Sequence, residues 1–318
     1  MPTEAGRVAV EADRLVVQVG SVRLPNPVMV ASGTFGFGPE YAPWVDIRRL
    51  GGIAVKGVAP EPWPGNPPPR VWETPGGLLN SIGLQNPGVE TFVAEDLPYL
   101  RSTGVPVVVN IIGHTPDEYA RVAARLDREP GIAALEVNIS CPNIKRGGIA
   151  FGHDPAQAGA VTAAVRAATR LPVWVKLSPN THEVVRVAEA VAAAGADALT
   201  AINTVVGLAI DIERRRPALG GITGGLSGPA VKPVALRVVW EVSQAVGLPV
   251  VGMGGIQSAR DVVEFLMAGA SAVMVGTANF ARPTVTAEIL DALPGLLDEL
   301  GFRSVAEVVG AAHPGRRG

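Results

Sequence analysis

Cys141 is the only cysteine in this 318-residue chain. An internal disulfide is thereby excluded, and so is an iron–sulfur cluster or a cysteine-rich zinc site built by this chain alone. Lysine is nearly as scarce: only Lys56, Lys145, Lys176 and Lys232 occur, so the place of each carries information. The histidines, His114, His153, His182 and His313, form no recognisable pairing pattern with the cysteine, which argues against a cysteine hydrolase. No apolar run approaches the ~20 residues a membrane span needs. The segment 1–14 lacks the charged-then-apolar pattern of an export signal, which predicts a cytoplasmic protein. A formal net charge of −2, with no basic stripe carrying interleaved aromatics, leaves no electrostatic case for nucleic acid. What the chain does have is apolar residues, 47% against 18% charged, enough for a large buried core.

Those apolar residues follow a rhythm. After an alternating stretch around Gly20-Ser21 that reads as a hairpin plugging one end of the fold, short β-branched runs recur at 28–31, 53–55, 107–112, 134–138, 173–177, 198–202, 250–253 and 272–275. Between them, helical periodicity covers 90–102, 116–127, 155–169, 182–194, 231–246 and 259–268, with Asp117, Asp154, Thr181 and Ser258 near the starts as N-cap residues. Eight β runs alternating with helices predict an α/β fold closed into a (β/α)8 TIM barrel, with an N-terminal β-hairpin. An open doubly wound sheet is the alternative, but the glycines of 31–38 have the wrong spacing for its dinucleotide fingerprint. One domain is expected over 1–318, with 1–14 and about 304–318 as flexible tails. Two insertions follow strand ends: a proline-dense loop at 61–69 leading into a hairpin, and the excursion 203–228, whose arginine run Arg214-Arg-Arg216 reads as a surface loop. Both lie on the face where barrel enzymes carry their sites.

The first polar residues after each run are Ser32, Lys56, Asn110, Asn138 with Cys141, Lys176, Asn203 with Thr204, Gly254-Gly255 and Gly276-Thr277. Lys56 and Lys176 sit one step beyond apolar runs, where a charge is costly unless paired. The last two strands lead into glycine turns, and the Gly254-Gly255 turn leads on to a helix start, so backbone N–H groups and a helix N-terminus are available to a phosphate. Asn80-Ser-Ile-Gly-Leu84 offers an amide side chain and backbone donors around Gly83, suited to a small planar anion. Cys141 follows the 134–138 run directly and is flanked by Asn138 and Asn143. Its thiol, with a reference pKa of about 8.5, becomes an effective base only where neighbours stabilise the thiolate.

In combination, Asn138-Ile-Ser-Cys-Pro-Asn143, Asn80-Ser-Ile-Gly-Leu84, Val55-Lys-Gly57, Val175-Lys-Leu177, Ala201-Ile-Asn-Thr204, Gly224-Gly-Leu-Ser-Gly-Pro229 and Gly252-Met-Gly-Gly-Ile256 resemble the dihydroorotate dehydrogenases, in order from about Leu15 to Leu300. The cysteine in the first motif, like the missing membrane-associating N-terminal extension, is similar to class 1. Lys145-Arg-Gly-Gly-Ile-Ala-Phe-Gly152 resembles class 1B more than 1A. The resemblance implies FMN held by Ser32, Lys56, Gly57, Asn110, Asn138, Lys176, Ile202, Gly228, Gly254, Gly255, Gly276 and Thr277. It implies dihydroorotate or orotate held by Lys56, Asn80, Ser81, Ile82, Gly83, Leu84, Asn138, Asn143, Asn203 and Thr204. Cys141 is then the base at C5, with hydride passing from C6 to flavin N5, Lys176 stabilising charge on the reduced flavin, and residues 147–152 forming a lid. Class 1B further implies a homodimer within a heterotetramer, its electrons reaching NAD through a partner subunit carrying FAD and [2Fe–2S]. A class 1A enzyme would use fumarate instead.

Readings outside that family remain. Lys176 at a strand end opposite a phosphate pocket is the arrangement of a Schiff-base lyase, which would be colourless and trapped by borohydride with substrate. A non-catalytic subunit would hold flavin without substrate-dependent bleaching.

Overall fold

The computed structural model describes residues 14–140, 142–143 and 149–315, with the backbone alone at 142, 143, 149 and 150. The hairpin comes first, as β1 (Val17–Val19) and β2 (Val22–Leu24). Its period of two buries Val17, Val19, Val22 and Leu24 while Gln18 and Arg23 face out. The turn at Gly20 lies against Asp197, the residue just ahead of a barrel strand, so the hairpin covers the N-terminal end of the barrel.

The barrel strands and the strands inserted between them run in order: β3 (Val28–Val30), β4 (Gly52–Val58), β5 (Val71–Thr74), β6 (Gly77–Asn80), β7 (Val107–Ile111), β8 (Ala134–Asn138), β9 (Pro142–Asn143), β10 (Ile149–Ala150), β11 (Val173–Leu177), β12 (Ala198–Ala201), β13 (Val205–Leu208), β14 (Ile210–Asp211), β15 (Arg216–Pro217), β16 (Thr223–Ser227), β17 (Val250–Met253) and β18 (Ala270–Val275). Eight of them, β3, β4, β7, β8, β11, β12, β17 and β18, close into a parallel barrel in chain order. Strands covered on both faces become continuous β-branched runs, which is why these segments were legible as apolar stretches.

Around the barrel lie α1 (Leu97–Thr103), α2 (Pro116–Leu126), α3 (Pro155–Ala168), α4 (Val184–Ala193), α5 (Lys232–Ala245), α6 (Ala259–Met267), α7 (Val285–Glu299) and α8 (Val305–Val308). Asp154 and Ser258 cap α3 and α6 as expected. On α2 the cap is Thr115, whose hydroxyl accepts from Glu118 N at 3.2 Å, and Asp117 lies inside the first turn. On α4, Thr181 lies two residues ahead of the cap position and accepts from Glu183 N at 3.1 Å, and Glu183 in the cap position makes no side-chain cap bond.

Helix α7 lies beyond the helical stretches read from the sequence, and Pro294 falls inside it, where proline removes a backbone hydrogen bond. The apolar stripe Val285, Ile289, Leu293, Leu296 and Leu297 is nonetheless buried along one face, so tertiary packing carries the helix through the proline. Residues 304–315 differ from the expected flexible tail. Val305 and Val308 are fully buried, Gly310 N donates to Leu266 O at 2.8 Å, and Ala312 N donates to Met267 O at 3.2 Å. This segment docks on the C-terminal end of α6.

The two insertions form one structure. β6 pairs antiparallel with both β5 and β16, and β16 pairs with β13, giving a four-stranded sheet in the order β13-β16-β6-β5. The proline loop is fastened to it by Arg70, whose Nε donates to Asn66 O at 2.5 Å, and by Asn66, whose amide donates to Ser81. The arginine run is a surface turn, with Arg214 on Asp211 three residues away.

Candidate active site

Alternate residues of a barrel strand face the lumen, so Glu136 and Asn138 of β8 share the inner side, as does Lys176 of β11. Lys176 is 5% exposed, Asn138 7%, Asn110 1%, and Glu136 and Thr200 not at all. Their polar groups converge on one another. Asn110 Nδ2 donates to Glu136 Oε2 at 2.5 Å, Ser32 Oγ donates to the same oxygen at 3.2 Å, and Thr200 Oγ1 donates to Oε1 at 2.8 Å. The Lys176 ammonium donates to Ser32 Oγ at 3.1 Å and lies 3.7 Å from Glu136 Oε2. Ser32 follows β3, on the far side of the barrel from β8 and β11, so these contacts cross the lumen. Three expected flavin ligands, Ser32, Asn110 and Lys176, are therefore brought together, and the residue joining them is one the strand-end reading passed over.

A second group forms at the last two strands. Gly254 and Gly255 have φ of +133° and +76°, and a Cβ at Gly255 would lie 2.8 Å from Lys232 Cβ and 2.9 Å from Gly228 O, so only glycine keeps this turn tight. Thr277 Oγ1 donates to Ser227 Oγ at 2.7 Å, joining the end of β18 to β16. Among the described residues, the backbone amides of Gly254, Gly255, Gly276 and Thr277 have no protein acceptor. Buried or rim amides in that state are ready-made partners for phosphate oxygens. The start of α6, which the sequence also offered to a phosphate, is taken: Asp261 accepts from Gln257 N and Ser258 Oγ at 2.9 Å each and from Lys232 Nζ at 2.7 Å. Any phosphate here would rest on the two glycine turns rather than on that helix.

Toward the inserted sheet, Asn203 Nδ2 donates to Asn138 Oδ1 at 3.1 Å, and Tyr119 OH donates to Asn138 O at 2.6 Å, which fixes Asn138 from both ends. Thr204 N is turned onto Asn203 Oδ1 at 2.8 Å. Asn80 reaches the rim through the sheet, its amide donating to Gly225 O at 3.1 Å. Ser81 and Ile82 are committed to the proline loop, since Ser81 O and Oγ accept from Asn66 Nδ2 and Ile82 O accepts from Asn66 N. Gly83 (φ +74°) and Leu84 (φ +56°) make the left-handed bend that follows, and a Cβ on Gly83 would lie 2.5 Å from Asn66 N.

Lys56 stands apart from these bonds. Burial, and after it the charge of Arg70, lower its pKa below the ordinary lysine value, while Glu40 acts the other way. Among the described residues no carboxylate comes within ion-pair distance of it, leaving the ammonium for an anion from outside. A Cβ on Gly57 beside it would lie 3.0 Å from Asn110 Oδ1 and 3.2 Å from Ile112 Cγ2, so a side chain there would push on Asn110. Ile202 is buried, its N–H donating to Met253 O at 3.0 Å, and Gly228 (φ +98°) borders Gly255. Cys141 lies outside the described residues, as does the Asn143 side chain; the backbone after it forms the antiparallel pair β9 and β10, with Asn143 opposite Ile149. Among the described residues no cluster of histidine, cysteine, aspartate and glutamate is arranged to hold a metal.

The profile of the family described as dihydroorotate dehydrogenase matches residues 14–297. A protein of Desulforudis audaxviator is 58% identical to this chain over 300 residues, which is 94% of this chain and 98% of that protein. One from Pelobacter propionicus is 56% identical over 297 residues, covering 93% and 98%, and one from Trichlorobacter lovleyi is 55% identical over 295 residues, covering 93% and 97%. All three are named dihydroorotate dehydrogenase B (NAD(+)), catalytic subunit. A match of this length on a closed barrel with this rim means that the chain belongs to the dihydroorotate dehydrogenase family.

Proposed function

We propose that this chain is the catalytic subunit of a class 1B enzyme that oxidises (S)-dihydroorotate to orotate in de novo pyrimidine biosynthesis. In this reading it binds FMN and passes electrons to NAD(+) through a second subunit carrying FAD and [2Fe–2S], as a homodimer joined to two such partners. The observation that carries it is the pairing of a cross-lumen polar cluster with backbone amides at the ends of the last two barrel strands that, among the described residues, have no protein acceptor. The names of the similar proteins supply the substrate and the NAD(+) linkage. Among the described residues no helix is long and apolar enough to cross a membrane.

Ser32, Asn110 and Lys176 fit the isoalloxazine, with Lys176 bringing positive charge where the reduced ring is electron-rich. Gly254, Gly255, Gly276 and Thr277 fit the phosphate. Bound FMN would supply the acceptor for the hydride equivalent leaving C6. Lys56, depressed in pKa and with no carboxylate within ion-pair distance among the described residues, holds the substrate carboxylate, assisted by backbone donors near Gly83. Asn138 and Asn203, already bonded to each other, present their remaining donors and acceptors to the pyrimidine edge, with Asn80 and Asn143 completing it. Cys141 takes the C5 proton.

Purified anaerobically, the protein is expected to carry about one flavin per chain and to bleach on addition of dihydroorotate. Cys141→Ala should keep the flavin while bleaching slows by roughly 10²- to 10⁴-fold, the usual worth of a positioned base. A colourless protein, or a yellow one that dihydroorotate does not bleach, would refute the assignment. Turnover with fumarate by the chain alone, without a partner subunit, would move it to class 1A.

A further inference from the structure

Glu136 is the one charged side chain in β8, and nothing in the reaction outlined above uses it. A carboxylate with no exposure is expensive to bury unless every lone pair is engaged and an opposite charge is near. Here Thr200 donates to one oxygen, Asn110 and Ser32 donate to the other, and the Lys176 ammonium lies 3.7 Å from it, so both oxygens are hydrogen-bonded and the opposite charge is near. Each of these groups comes from a different barrel strand or strand end, so Glu136 is the point at which five of the eight strands are tied together across the lumen.

We propose that Glu136 is a positioning residue for the flavin site: it anchors the Lys176 ammonium, directly and through Ser32, and sets how much of that positive charge the flavin feels. The inference rests on the flavin reading above. Lys176 Nζ has Ser32 Oγ and Glu136 Oε2 on its inner side, so its stem is held against the barrel while the ammonium keeps donor capacity for a ligand. The same contact partly cancels its charge. Among the described residues Glu136 is the only anion within ion-pair distance of Lys176, so the compensation has a single source.

Charge and shape can be separated at this position. In Glu136→Gln the amide oxygen can accept from Asn110 and Ser32 while the NH₂ meets the Thr200 hydroxyl, which can turn from donor to acceptor, so the fit survives and the charge goes. In Glu136→Asp the charge stays and the reach is shortened. The measurement is the midpoint potential of the bound flavin, followed by its absorbance during anaerobic redox titration of the flavin-loaded enzyme.

Glu136→Gln is expected to raise the potential, because an uncompensated Lys176 favours the electron-rich reduced flavin, with at least a tenfold change in the reduction equilibrium, or about 30 mV for a two-electron couple. Glu136→Asp is expected to remain near the parent value. An unchanged potential in Glu136→Gln would overturn the proposal, as would equal shifts in both variants, since that would make the effect one of packing. If Glu136→Asp does not fold, Lys176→Met is the second arm and must lower the potential; a shift upward would equally overturn it. If the parent protein binds no flavin, the flavin reading itself fails, which is a different result from a flavoprotein indifferent to residue 136.

Discussion

Replacing Thr200 by valine separates two forces that oppose each other at one buried position. Thr200 is fully buried, and valine has nearly its shape, so burial alone predicts a neutral or stabilising change, up to about 0.8 kcal/mol for the added methyl. The hydroxyl, however, donates to Glu136 Oε1 at 2.8 Å and is the only donor on that oxygen among the described residues. A hydrogen bond to a charged group is worth about 1.5–3 kcal/mol, and its removal leaves a carboxylate oxygen buried and unmet. The net expectation is a loss of about 1–2 kcal/mol. At about 2.1 cal/mol/K per residue, the 318-residue chain unfolds with an entropy near 0.7 kcal/mol/K, so the melting temperature should fall by about 1.5–3 °C. The assay is calorimetry at a fixed excess of FMN, so that ligand linkage is constant, with urea midpoints as a check that the slope is unchanged. In a Glu136→Gln background the same substitution should cost less than half as much, because no charge is left unsolvated. A Thr200→Val protein as stable as the parent, or more stable, would refute the reasoning, since burial would then outweigh the bond.

Gly255→Ala places a Cβ 2.8 Å from Lys232 Cβ in a backbone at φ +76°; it should destabilise by about 1–3 kcal/mol and weaken FMN retention at least tenfold in a fluorescence titration. Unaltered FMN affinity would remove this turn from the phosphate site. Because burial and Arg70 pull the Lys56 pKa down, its ammonium is lost at lower pH than that of a free lysine, so orotate affinity should hold below that pKa and fall as pH rises through it. Lys56→Arg, which stays charged, should abolish that alkaline fall even if it binds more weakly; a fall that persists would place its origin elsewhere. Deleting residues 304–318 should lower the melting temperature by several degrees, since Val305 and Val308 are fully buried against the fold. No change would mean that the segment is a free tail after all.

The barrel strands were legible because a strand covered on both faces must be apolar throughout, and such runs stand out in any window. What those windows cannot carry is partnership. The proline-loop hairpin and the 203–228 excursion were each readable as insertions, yet their union in one sheet depends on pairs such as Asn80 with Gly225, far apart in the chain. No local period encodes that pairing. Helix α7 shows a local rule overridden: five apolar residues buried on one face carry it through Pro294.

Glu136 is the instructive omission. Reading the first polar residue after each run finds groups that emerge at the rim, and it found Asn138 while stepping over the glutamate two positions earlier. The period of a strand places those two residues on the same inner face, so the signal was present. A lone carboxylate inside an apolar strand of a closed barrel has no water to solvate it, and a fold that keeps it must supply a cation and donors from the other strands. With only four lysines in the chain, one of them at the end of the adjacent β11, the cation was identifiable from sequence as well. Lys176 is therefore tolerated where it is because Glu136 lies beside it, and whatever binds at the rim meets a charge that the barrel has partly compensated.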